Sequence, residues 1–234
     1  MLGLSSIYSA SSWADIVEYG DFTGASVEFI AVSEASDSIG PGVGQVSDLF
    51  GAPVISGDTL VLTPEQFDAD QSGLGTSSLD SQLTFQLEAQ AGFEIVEVIF
   101  SEFGNYSLTT PFATGQAGVG VVANGFVTTD AATTDESFTF STSQTSADGF
   151  ITSGVWDESF SIGIDPASSA TVVLNNTLLA SAFTAADTGV INKAGVTIEV
   201  VTQAASTTAV PEPSSLGLVV MTAAGLVIRR KRRS

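Results

Sequence analysis

Cysteine and histidine are both absent from this chain of 234 residues, and lysine and arginine together number 6. The lack of cysteine excludes disulfides and thiol chemistry. The lack of histidine excludes Ser-His-Asp triads, imidazole acid–base catalysis and most zinc sites. Between residues 1 and 210 the sole base is Lys193, which stands alone in the sequence. A chain so poor in cations has no basic face with which to neutralise phosphates, so nucleic-acid binding is excluded. Ser-x-x-Lys, Gly-x-Ser-x-Gly and Walker-type phosphate loops are missing. Gly115, Gly118 and Gly120 do not complete a dinucleotide fingerprint and read as turn or bulge glycines.

What is present is acid, and it is segregated. Residues 1–210 carry a net charge of −24 (25 acids against Lys193), while Arg229, Arg230, Lys231, Arg232 and Arg233 crowd the C-terminus. This pattern describes an acidic soluble body joined to a basic flank. An acidic, lysine-poor surface suits an extracellular protein that has to stay soluble. Hydrophobic residues make up 44 % of the chain, enough for one domain with a substantial core and too many for a disordered one.

The body reads as strands. Leu83, Phe85, Leu87 and Ala89 alternate with Thr84, Gln86 and Glu88; Phe160, Ile162 and Ile164 alternate with Ser161 and Gly163; Val196, Ile198 and Val200 alternate with Thr197 and Glu199. Phe138 and Phe140 sit among Ser137, Thr139 and Ser141. A period of two places one face on a core and the other in water. Further strands are expected over 27–32, 59–62, 94–100, 120–128, 150–156 and 171–174, with turn residues clustered at 37–44 and 68–75. Residues 178–186 read as a short helix. About ten short strands without an internal repeat predict a single antiparallel β-sandwich, jelly-roll-like.

Carboxylates are the plentiful reactive groups, and two uses suggest themselves. A glycosidase needs two carboxyls facing one cleft. Asp157 and Glu158, beside Trp156, are adjacent on a strand and so point to opposite faces, a poor pair. A calcium loop is the other use. Asp68-Ala69-Asp70-Gln71-Ser72-Gly73 has the D-x-D-x-x-G opening, but position 79 is Leu where the bidentate Glu belongs, and Asp80 is only adjacent. Asp68, Asp70 and Asp80 are the calcium candidates; a solvated Asp-rich turn is the competing reading. No other cofactor is implied. Trp13, Trp156, Tyr8, Tyr19 and Tyr106 are candidates for stacking on sugar, though no aromatic row is visible. Asn105-Tyr106-Ser107 and Asn175-Asn176-Thr177 match glycosylation sequons by chance.

The C-terminus has three parts in order. Val210-Pro211-Glu212-Pro213 is extended and helix-free, because proline fixes φ and restrains the residue before it. Leu216–Ile228 (LGLVVMTAAGLVI) is uncharged and, as a helix, about 20 Å long, short for a bilayer core of about 30 Å. It spans if the bilayer thins and the arginines snorkel; a buried core helix with a basic tip is the competing reading. The Arg-rich end then stays in the cytoplasm and the body outside.

Pro-Glu-Pro, a short apolar helix and an Arg-rich end together resemble the PEP-CTERM sorting tail of bacterial surface proteins. The resemblance covers about 25 residues and concerns delivery rather than the body. It implies recognition of Pro211, Glu212 and Pro213 by an exosortase-type membrane enzyme, with Arg229, Arg230, Lys231, Arg232 and Arg233 as the membrane stop signal. It also implies an association with exopolysaccharide and biofilm. Residues 1–14 lack a basic start and read as the remnant of a longer signal peptide, with Ser12-Trp13-Ala14 as a small-x-small cleavage site.

The expected organisation is therefore a signal remnant at 1–14, a β-sandwich at 15–203, a linker at 204–213, a transmembrane helix at 214–228 and a cytoplasmic tail at 229–234. The expected function is that of a non-enzymatic cell-surface or matrix protein of the bacterial envelope. Before processing its tail spans the inner membrane with the C-terminus in the cytoplasm; afterwards the body is at the surface or secreted. Its partners are the sorting enzyme, the lipid bilayer and polysaccharide. The alternative is a secreted carbohydrate-active enzyme, or a calcium-dependent carbohydrate-binding module, on the same tail.

Overall fold

A computed structural model of the chain describes residues 15–39, 48–148 and 150–206. The chain divides into two units, Met1–Gln203 and Ala204–Ser234, and the fold is that of the first. The expected signal remnant at 1–14, the Pro-Glu-Pro motif, the transmembrane helix and the basic tail lie outside the described residues. Among the described residues no helix is long and apolar enough to cross a membrane.

The described chain is all β apart from one 3-10 turn. Its strands are β1 (Asp15–Thr23), β2 (Val27–Ile39), β3 (Val54–Ser56), β4 (Thr59–Leu62), β5 (Asp68–Ser72), β6 (Gly75–Ala89), β7 (Phe93–Thr109), β8 (Gln116–Thr128), β9 (Thr133–Thr145), β10 (Ile151–Ala167), β11 (Ser169–Ala182) and β12 (Thr188–Ala204). One sheet has the order β1-β2-β6-β11-β8-β9. The other has the order β10-β7-β12-β4-β3, with β5 also on β12.

The eight strands from β5 onward pair as a nest. β8 pairs β9, β7 pairs β10, β6 pairs β11 and β5 pairs β12, all antiparallel. Folding such a nested ribbon over on itself puts alternate pairs into opposite sheets, which is the jelly-roll arrangement. The hairpin β1–β2 and the short β3–β4 pair widen the two sheets.

The expected alternation decides which side chains face inward. Leu83, Phe85 and Leu87 on β6, and Val196, Ile198 and Val200 on β12, are buried, as are Val172, Leu174, Leu178 and Ala180 on β11. Burying each Leu, Ile, Val or Phe of this set contributes about 1.5–3 kcal/mol, which is how a chain without disulfides holds together.

The structure corrects three expectations. Residues 178–186 are not a helix: β11 continues to Ala182, because it lies between β6 and β8 and both neighbours take its backbone hydrogen bonds. The segments at 150–156 and 160–164 are one strand, β10. The Asp-rich stretch from residue 68 is a strand rather than a turn, since Ala69 and Gln71 point inward while Asp68, Asp70 and Ser72 point out.

Candidate functional site

The three calcium candidates do not meet. Asp68 and Asp70 sit two apart on the exposed face of β5, in the sheet with β12. Asp80 is on β6, in the other sheet, where its carboxylate accepts a hydrogen bond from Thr177 Oγ1 at 2.5 Å. Among the described residues no three acidic side chains form a group that could hold a metal. Partial burial, and then the charge of Asp70, push the Asp68 carboxyl above its usual value.

The stacking candidates do not form a platform either. Trp156 is buried, and its Nε1 donates to the Asn192 carbonyl at 3.0 Å. Tyr106 packs against Phe140, with ring centroids 5.7 Å apart. Trp13 and Tyr8 lie outside the described residues.

The polar centre of the body is elsewhere, inside the sandwich. Lys193 on β12, Glu102 on β7 and Asn176 on β11 come together with their side chains closed to solvent. Lys193 Nζ donates both to Glu102 Oε2 and to Asn176 Oδ1. Asn176 Nδ2 donates to the second oxygen of the same carboxylate, Glu102 Oε1, at 2.8 Å. The carboxylate thus bridges the amine and the amide nitrogen. Three aromatic rings wall the amine in: Phe67 at 4.9 Å from Nζ, Phe50 at 5.7 Å and Trp156 at 5.9 Å. Burial pushes the Lys193 amine below the usual lysine value, and the Glu102 charge and hydrogen bond pull it partly back. An ion pair so enclosed is expensive unless every polar atom is paired, and here the three groups satisfy one another.

A second buried carboxylate fixes one of those walls. Glu34 on β2 accepts from the backbone N–H of Leu49 at 2.8 Å and of Phe50 at 3.1 Å. It also accepts from Ser36 Oγ at 2.6 Å, Ser81 Oγ at 2.9 Å and Tyr19 Oη at 2.7 Å. These bonds clamp the segment that presents Phe50 to Lys193. Trp156 is seated by a glycine: a Cβ at Gly104 would lie 1.9 Å from the Asn192 carbonyl oxygen and 2.7 Å from Trp156 Nε1.

In the sequence Lys193 stands alone, Asn176 shows only as part of a chance sequon, and Glu102 carries no motif. A signal existed in the phase. Lys193 keeps step with the inward Ile191, Glu102 with Val98 and Phe100, and Asn176 with Val172, Leu174, Leu178 and Ala180. A polar residue in the apolar phase of a strand is buried by that strand, and needs a partner.

Comparison with known proteins bears on the tail. Residues 209–233 match the family model of the PEP-CTERM protein-sorting motif, so the chain carries that motif. No curated protein matches the chain. Among solved structures, a carbohydrate-binding module in complex with β-1,4-galactotriose is similar at 14 % identity, over 67 % of this chain and 92 % of that one, with a TM-score of 0.25. An overlay that loose carries no conclusion about ligand.

Proposed function

We propose that this chain is an exported protein of the bacterial envelope whose body is non-enzymatic and serves a structural role with polysaccharide at the surface or in the matrix. The observation that carries the reading is the sorting motif at residues 209–233. An exosortase-type enzyme reads Pro211, Glu212 and Pro213 while residues 214–228 span the inner membrane and Arg229–Arg233 hold the C-terminus in the cytoplasm. Processing then leaves the body outside the cell, free of its address. The body supports the non-enzymatic reading through closure. Its triad of amine, carboxylate and amide is sealed inside the sandwich, where no external substrate reaches it. A carbohydrate-active enzyme needs two carboxyls in an open cleft. The surface hollow of about 280 Å³ that Glu88 and Asp130 help to line is where that alternative is tested, by assaying Glu88→Gln and Asp130→Asn on polysaccharide.

The mature C-terminus tests the sorting reading directly. Intact mass of the protein from host membrane and surface fractions is expected to show a species ending near residues 210–213, lost when the sorting enzyme is deleted. A membrane species that still ends at Ser234 overturns the processing step and makes the tail a lasting anchor.

A further inference from the structure

We propose that Lys193 and Asn176 join in an intramolecular isopeptide bond, with Glu102 moving the protons, so that the two sheets of the sandwich become covalently tied. Lys193 belongs to the sheet of β7 and β12, and Asn176 to the sheet of β6, β11 and β8. The bond therefore crosses the core from one layer to the other.

The arrangement holds each part that this reaction needs. The nucleophile is an amine whose burial favours the neutral form, and only a neutral amine carries the lone pair for attack. The electrophile is the amide carbon of Asn176, one bond from the Oδ1 that Nζ already contacts. The proton carrier is one carboxyl group with one oxygen on each partner: Oε2 on Nζ, and Oε1 on the amide nitrogen that has to leave. Contact of amine and amide in a fixed enclosure replaces a bimolecular encounter, which removes most of the entropic barrier to an otherwise very slow aminolysis. The walls of Phe50, Phe67 and Trp156 keep water from competing for the carbonyl.

The step balances within the triad. Transfer of one proton from the Lys193 ammonium to Glu102 gives a neutral amine beside a neutral carboxylic acid, a pair that low dielectric favours over two ions. Nζ attacks Cγ of Asn176 and forms the new C–N bond. Glu102 gives its proton through Oε1 to Nδ2 and takes one from Nζ through Oε2. The Cγ–Nδ2 bond breaks, the carbonyl re-forms, ammonia departs, and Glu102 is left as the neutral acid, keeping the proton it took from the Lys193 ammonium. The product is a secondary amide whose single N–H still faces Glu102. No oxidant and no external reactant is needed, and a buried charge has been replaced by a neutral bond.

Composition supplies a sharp test. Lys193 is the sole lysine or arginine in residues 1–210, so trypsin has one site in the body. A lysine acylated on Nζ is no longer cut. The full chain, purified and denatured, is expected to resist cleavage after Lys193. A digest with a protease of other specificity should yield one branched peptide joining the Asn176 and Lys193 segments, lighter than the two together by one ammonia. Locating the branch matters because Asn124-Gly125 is also able to shed ammonia, by closing on its own backbone. Glu102→Gln keeps amine and amide but loses the proton carrier, and is expected to be cut at Lys193. Asn176→Asp should still couple, shedding water instead of ammonia, and stay uncut. Clean tryptic cleavage of the denatured wild-type chain after Lys193 overturns the proposal, whatever the variants do. Full coupling in Glu102→Gln removes Glu102 from the mechanism. Both readouts are independent of the C-terminus, so a failure of tail processing is told apart from a failure of the cross-link.

Discussion

At the scale of single residues, the least replaceable groups are buried carboxylates and the glycine that makes room beside them. Among the described residues Glu34 accepts five hydrogen bonds, two of them from the backbone N–H groups of Leu49 and Phe50, and meets no cation. Glu34→Ala leaves those donors buried and unpaired. Urea unfolding is expected to register a loss of about 3 kcal/mol or more, and a loss under 1 would mean that water takes over the carboxylate's place. Tyr19 Oη reaches Glu34 at 2.7 Å and Asp48 at 2.6 Å, and its one hydrogen serves one carboxylate at a time. Burial first, then the bonds to Asp48 and Glu34, push the phenol far above its ordinary value of 10.0. The folded chain thus keeps this proton where the unfolded chain gives it up. The stability tied to Tyr19 is fully present below pH 10 and falls as pH rises beyond it. Tyr19→Phe should flatten that alkaline slope in unfolding titrations; an unchanged slope would assign it to other groups. Gly104→Ala drives a methyl into the Asn192 carbonyl oxygen, and a cost of about 2–3 kcal/mol is expected in the same assay. None of these roles is legible from residue type: Glu34 looks like every other acid of an acidic chain, and Glu102 is set apart only by its phase with Val98 and Phe100.

At the scale of elements, the alternation on β6 and β12 was plain in the sequence because Leu, Phe, Val and Ile strike every second position. β5 was not, because Ala69 and Gln71 are weak markers of an inward face beside Asp68 and Asp70. The end of β11 resembles helix in the sequence because Leu178, Leu179 and Ala180 run together. Its outward member, Leu179, is 43 % exposed and its flanks are buried, so the period of two was there beneath a uniform composition. Pairing with both neighbours outweighed local preference. The triad was illegible for a different reason. Residues 102, 176 and 193 belong to three strands, and only the nested order brings β7, β11 and β12 to one point. A covalent tie between residues 17 apart is worth about 3 kcal/mol by chain closure, or roughly 10 °C in a domain of this size. Scanning calorimetry should find Glu102→Gln lower than wild type by at least that much. Equal midpoints would mean that no tie had been lost.

At the scale of the whole molecule, charge opposes the fold. The body's single basic side chain, Lys193, is buried against Glu102, so among the described residues the charged side chains at the surface are all acidic. Their mutual repulsion is screened over about 10 Å at 0.1 M salt. The thermal midpoint is therefore expected to rise between low salt and roughly 0.5 M sodium chloride, and a flat response would show that the carboxylates are too dispersed to strain the sandwich. Position in the chain has a further consequence. β12 is an inner strand, bonded to β7, β4 and β5, and the chain runs from it directly into residues 205–234. A force applied to the end of β12 in the direction of the strand loads it along its own axis. Its hydrogen bonds are then loaded together in shear, whereas an outermost strand such as β10 would unzip one bond at a time. Force on that end of the body is thus met by the middle of a sheet, and the proposed bond between Lys193 and Asn176 would pass the tension across the core into the opposite layer.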